Sequence, residues 1–196
     1  MTGQVVHAGG DKRSDCRHFD FPGLRIGPAG YPDDPTGVTV FQFPQQASGT
    51  LITRGGAPGS ALTQALRASY GRYVSAIFFC GGSTYGLSGK QAETDGPTGY
   101  LTDSTTLTLV VTNRVLDQVE LLRLAIETHS SMARAIQPFH TSRDRNALFA
   151  ATTAECDADE PPLVDLSVRA SELVWNAVLN SVRRPRISIQ AKARLC

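Results

Sequence analysis

The chain has 196 residues, of which 41% are hydrophobic and 19% charged, enough to bury one sizeable core and unlike the composition of a disordered protein. A net charge of +1 supplies no general attraction to nucleic acid or to an acidic surface. The apolar runs are far shorter than a membrane span, and the first ten residues lack a basic start followed by an apolar stretch. Four cysteines, Cys16, Cys80, Cys156 and Cys196, are scattered without a Cys-x-x-Cys pair, so neither a zinc site nor a disulfide framework follows. These features together predict a cytoplasmic protein with no membrane or nucleic-acid partner, no bound metal and no cofactor.

Residues 1–18 mix glycine, charge and small polar side chains and read as a loose arm. Order is expected from Phe19-Asp-Phe-Pro-Gly onward, in a single domain over residues 19–182. Gly37-Val-Thr-Val-Phe-Gln-Phe reads as a strand, and Thr50-Leu-Ile-Thr as a second strand that partners it. Arg54-Gly-Gly-Ala-Pro-Gly ends that strand in a glycine cluster suited to a tight turn. Val74 to Cys80 is a continuous apolar run of buried-strand length, and it leads into Gly81-Gly-Ser-Thr-Tyr-Gly. This loop is not a nucleophile elbow, because Tyr85 stands where Gly-x-Ser-x-Gly requires its last glycine. Nor is it a dinucleotide fingerprint, because Ser83 takes the second glycine's place. Backbone N–H groups at Gly81 and Gly82 could still cradle an oxyanion.

Ser104 to Asn113 alternates, with Leu107, Leu109 and Val111 on one face and Thr106, Thr108 and Val110 on the other, which predicts a strand opening near Thr105. A helix follows from about Asp117 to Ile136, begun by Asp117 and Glu120 as a capping box and stopped by Pro138. Its apolar stripe is read as Val119, Leu122, Ile126, His129, Ala133 and Ile136, with His129 a packed or capping histidine rather than a ligand. A polar loop then brings His140, Asp144 and Asn146 close together ahead of a strand from Ala147 to Thr153. A last helix is expected over Leu166 to Val182, with Ala170, Leu173, Val174, Ala177 and Val178 as its stripe, followed by a solvated basic tail over residues 183–196. Strands grouped with two amphipathic helices indicate an α+β layered fold.

Three stretches resemble one family, that of the DmpA-type aminopeptidases, β-peptidyl aminopeptidases and nylon-oligomer hydrolases. They are Phe19-Asp-Phe-Pro-Gly with Gly37-Val-Thr-Val and Arg54-Gly-Gly-Ala-Pro-Gly; the loop Gly81-Gly-Ser-Thr-Tyr-Gly-Leu; and Ser104 to Asn113 with His129-Ser-Ser-Met and Ile136-Gln-Pro-Phe-His-Thr. The nylon-oligomer hydrolases are the nearest branch. The resemblance implies an αββα-type layered sandwich and an N-terminal-nucleophile hydrolase that cuts its own chain before a Ser or Thr. On this sequence the cut falls between Ser104 and Thr105, and Thr105 becomes the nucleophile of an aminopeptidase- or amidase-type enzyme acting on small peptide, amide or ester substrates. The family's acidic pair maps onto Asp144 and Asn146, the second of which has lost its charge, and Tyr85 maps onto a tyrosine that contacts substrate or oxyanion. Relatives form oligomers, so a homo-oligomer is expected. A long family segment is missing between about residues 90 and 101, which leaves the sandwich incomplete. The alternative is a catalytically inactive remnant that serves as a binding or assembly subunit, or a truncated gene product.

Overall fold

The computed structural model describes residues 21–30, 37–56, 63, 66, 72–80, 106–142, 144–157 and 161–182. The expected arm, the basic tail and the stretch from Gly81 to Thr105 lie outside the described residues. In chain order the described elements are β1 (Arg25–Gly30), β2 (Gly37–Arg54), β3 (Arg72–Cys80), β4 (Leu107–Arg114), α1 (Gln118–Ser131) with a 3-10 turn (Met132–Arg134), β5 (Asn146–Cys156) and α2 (Leu163–Val182). Strands and helices share one chain, an α+β composition.

The chain divides into two compact units, residues 1–46 with 74–102, and residues 47–73 with 103–196. In the first, β1 pairs antiparallel with the opening half of β2, Arg25 opposite Gln42 and Gly30 opposite Gly37, and β3 also pairs with β2. Phe41 and Phe79 meet edge to face at 5.0 Å between ring centroids. β1 was not foreseen, because Arg25-Ile-Gly-Pro-Ala-Gly has neither alternation nor a β-branched run. β3 is a strand as read, but it is not buried throughout: Val74 and Ile77 are interior whereas Tyr73 and Phe78 are exposed.

The second unit holds the remainder of β2, then β5, then β4. β5 runs antiparallel to β2, with Leu51 opposite Phe149, and parallel to β4, with Leu107 opposite Ala147. Parallel neighbours need a crossover, and α1 supplies it between β4 and β5. As the middle strand, β5 is buried from Asn146 to Thr152. Leu148 and Ala150, two residues apart on one face, pack with Ile52 beneath Leu121, Leu124, Ala125 and Met132 of the first helical segment and Leu166 and Ala170 of α2. Ala147, Phe149 and Ala151 on the opposite face are buried as well.

Four readings are corrected here. The two strands expected at residues 37–43 and 50–53 are one strand of 18 residues. The polar stretch Gln45 to Gly49 reads as a break, yet pairing resumes at Ser48, and Gln46 absorbs the distortion at φ 62°. The helix stripe was right only in part: Leu122, Ile126, His129 and Ile136 pack inward, but Val119 and Ala133 are exposed, and Leu121, Leu124, Ala125, Thr128 and Met132, outside the expected stripe, are the most deeply buried together with His129. Val119 sits in the first turn, where the Asp117 carboxylate accepts from its N–H and from that of Glu120, and the Glu120 side chain accepts from the Asp117 N–H. The helix also stops at Ser131 rather than Ile136, because the last turn tightens to 3-10 form before Pro138 is reached. In α2, Leu173 and Ala177 are exposed, and the buried edge begins earlier, at Leu166.

Candidate functional site

The glycine turn after β2, the loop from Phe139 to Arg145, the start of β5 and the end of α1 converge within the second unit. Asp144 and Asn146 are both buried there, at 4% and 1% exposure, and Asp144 is the one carboxylate among the buried polar residues described. The Asp144 carboxylate accepts from the Thr141 N–H at 2.7 Å through Oδ2, and the same oxygen accepts from Asn146 Nδ2 at 3.3 Å. Asp144 N–H donates back to the Thr141 carbonyl at 3.2 Å, closing the loop upon itself. Asn146 Nδ2 also lies 3.5 Å from His140 Nδ1.

The turn Gly55-Gly56 holds this loop in place from below. Gly56 N–H donates to the Thr141 carbonyl at 3.2 Å. Gly55 adopts φ +93°, a region that costs a side chain energy, and the space where its Cβ would stand is filled by the backbone of Asp144. The corresponding space at Gly56 is filled by the backbone of Ser142. The glycines are therefore a seat for the acidic loop as well as a turn.

On the other side stand two histidines. His129, at 1% exposure, packs edge to face against Phe139 at 5.5 Å and against His140 at 4.7 Å. Both of its ring nitrogens are buried with no hydrogen-bond partner among the described residues. Burial is the main reason that its pKa falls from 6.5 to about 4, with the positive charge of His140 and of Arg54 adding to it. His140 occupies the left-handed region at φ 64° and stacks at 3.9 Å on Phe139. Its pKa is also lowered, first by desolvation and then by Arg54, against an opposing pull from the Asp144 carboxylate. For both imidazoles the surroundings favour the neutral ring.

His140, Asp144 and Asn146, grouped from their spacing, are brought together, and His129 is packed as expected. The contributions of Arg54, whose position in β2 is opposite Asn146, and of the ring contact between the histidines were not legible, since both depend on pairing across elements. Thr105, Ser104, Tyr85, Gly81 and Gly82 lie outside the described residues. Thr106, the neighbour of Thr105, accepts at its carbonyl from Ala147 N–H at 2.9 Å, one residue along from Asn146. Among the described residues no three His, Cys, Asp or Glu side chains are grouped to hold a metal, and no helix is long and apolar enough to cross a membrane. An open groove between α1 and α2, lined by Glu127, Ser131, Arg134 and Ser167, shares no residue with this cluster.

No family model matches the chain. Curated proteins do. The chain is 41% identical over 90 residues to a 6-aminohexanoate-oligomer endohydrolase of Kocuria sp. (strain KY2), a match covering 41% of this chain and 25% of the relative. It is 42% identical over 88 residues to the 6-aminohexanoate-oligomer endohydrolase of Paenarthrobacter ureafaciens, covering 40% of this chain and 25% of that one. A NylC-analogous protein of Agromyces sp. (strain KY5R) matches at 42% over 88 residues, 40% of this chain and 29% of the relative. The matches thus span between a quarter and a third of the length of the curated relatives. Over about two fifths of its length, this chain is similar to the 6-aminohexanoate-oligomer endohydrolases and a NylC-analogous protein.

Proposed function

We propose that the chain is an amide-bond hydrolase of the N-terminal-nucleophile type, processed between Ser104 and Thr105, with Thr105 as nucleophile. The observation that carries this reading is the buried Asp144–Asn146 pair at the head of β5, beside the start of β4. A buried carboxylate remains costly to desolvate even when it is hydrogen-bonded, such groups gather at functional sites, and the matched relatives are hydrolases by name. In processing, Thr105 Oγ attacks the Ser104 carbonyl carbon, the peptide C–N bond breaks as the chain shifts to an ester, and water hydrolyses that ester. The freed α-amine titrates at about 7.7–8.0 in model compounds, so at neutral pH it can take the hydroxyl proton of Thr105 and return it to the departing amine. An internal threonine has no such base, so processing and activity are linked. Asp144 and Asn146 orient the amine, one as a carboxylate and the other as a neutral amide; Tyr85 and the backbone of Gly81 and Gly82 serve substrate and oxyanion. Small peptides or linear amides are the substrate class, and a homo-oligomer is the working state. Burial of both faces of β5 supports a layered αββα sandwich around this pair.

Intact-mass analysis tests the reading. Two fragments meeting at Ser104–Thr105 are expected, and Thr105→Ala is expected to leave one chain. Asp144→Asn should slow processing by roughly tenfold to a hundredfold, because hydrogen bonds to charged groups contribute about 1.5–3 kcal/mol; Asn146→Ala should slow it less. A wild-type chain that stays whole on long incubation favours the non-catalytic subunit instead.

A further inference from the structure

Asn146 Nδ2 faces two groups at once, Asp144 Oδ2 at 3.3 Å and His140 Nδ1 at 3.5 Å. An ionised carboxylate only accepts, so it selects the Nδ2 side of the amide and fixes which way Asn146 is turned. An amide nitrogen has two hydrogens. With one directed at the carboxylate, the second can meet His140 only if Nδ1 carries a lone pair, which places the imidazole proton on Nε2. We propose that His140 is a positioning residue that acts as the neutral Nε2–H tautomer: together with Asp144 it holds the Asn146 amide in one orientation, both Nδ2 hydrogens engaged and Oδ1 left as the acceptor for a protonated amine. This rests on the reading that Asn146 meets an amine, and it explains how a neutral amide can serve there. A carboxylate accepts in any orientation; an amide accepts only if something fixes its turn.

The surroundings agree. His140 is faced by Arg54 of β2, by His129 of α1 and by Asp144 of its own loop. Burial and Arg54 favour the neutral ring, and Asp144 alone opposes them. The left-handed backbone at φ 64° is uncommon outside glycine and holds the ring over Phe139. When His140 is protonated, Nδ1 presents a hydrogen to Nδ2, two donors face each other, and the amide loses its lock. The effect therefore sets in as pH falls below the ordinary histidine value of 6.5.

Nitrogen-15 NMR of histidine-labelled full chain reads the tautomer without any need for activity. At neutral pH the His140 Nδ1 is expected to resonate as an unprotonated nitrogen and Nε2 as a protonated one. In Asn146→Asp the new carboxylate should draw the proton onto Nδ1 and move the His140 titration upward. Processing at Ser104–Thr105 supplies the second arm. His140→Ala should slow it about tenfold, the effect of one lost orienting hydrogen bond. His140→Asn tolerates a left-handed backbone and offers a carbonyl oxygen in place of Nδ1, so it should restore most of the rate and remove the decline at acid pH. An Nδ1-protonated His140 at neutral pH, a His140 titration unmoved by Asn146→Asp, or His140→Asn behaving like His140→Ala would each overturn the inference. A chain that never processes itself defeats the proposed activity, and the NMR arm then decides the positioning role alone.

Discussion

Gly56→Ala is expected to destabilise the protein by about 3 kcal/mol or more and to disorganise the Asp144 loop, whereas Gly27→Ala should change stability by no more than about 0.5 kcal/mol. The two glycines differ in what an added methyl would meet. Around Gly27 there is nothing within 4 Å. At Gly56 the methyl would stand 2.8 Å from the Ser142 carbonyl carbon and 3.0 Å from its Cα, and closer still to the carbonyl oxygen. These are backbone atoms of a loop closed by hydrogen bonds between the flanking Thr141 and Asp144, so they cannot turn aside as the end of a long side chain would. The loop must lift, and the bond from Gly56 N–H to the Thr141 carbonyl is lost with it. Urea denaturation of the two variants measures the difference. Loss of processing in Gly56→Ala beyond what its lowered stability accounts for would show that the seat also positions Asp144. Equal stability for both variants would show that the turn and the loop are not in contact.

The glycine pair illustrates what the sequence could convey. Gly55 and Gly56 announce a turn because only glycine is free of the positive-φ penalty, but the loop they support lies more than eighty residues away, and no local pattern encodes that meeting. Local chemistry was readable elsewhere for the same reason. The capping box of Asp117 and Glu120 spans three residues, and its bonds form as expected. The alternation in β4 and the apolar run of β5 likewise require no partner to be seen. The helix face was legible only in part: Leu122, Ile126, His129 and Ile136 of the expected stripe pack inward, but that the edge through Leu121, Leu124 and Ala125 lies deepest follows only from docking against Leu148 and Ala150. The break expected in β2 failed on similar grounds, since pairing with β5 carries a polar stretch that would not hold as a strand alone. In the site, His140, Asp144 and Asn146 could be grouped because they lie within seven residues, whereas their roles came from the family resemblance rather than from spacing.

Lowering the pH from about 7 to about 4.5 is expected to cost stability through His129, by an amount on the order of 3 kcal/mol for the full effect. An unfolded chain exposes this imidazole to water, where it takes a proton near 6.5; in the fold, burial delays protonation until about 4. Between these values the unfolded state binds more protons than the native state, so stability rises with pH and is lost as pH falls through the window. Nothing among the described residues would offset a charge there: neither ring nitrogen has a hydrogen-bond partner, and the neighbouring His140 and Arg54 are themselves basic. His129→Leu keeps an apolar side chain in the space against Phe139 and removes the titration. At about pH 7 it should be near neutral or stabilising, since it takes away two buried polar atoms that lack partners, and a replacement of that kind avoids their desolvation cost. At about pH 4.5 it should be the more stable protein. The measurement is the difference in urea-unfolding free energy between wild type and variant at each pH, because the carboxylates common to both cancel. A difference that does not widen on acidification would mean that His129 is already charged in the fold, or that water reaches it, and either result removes the buried neutral imidazole from the account of this site.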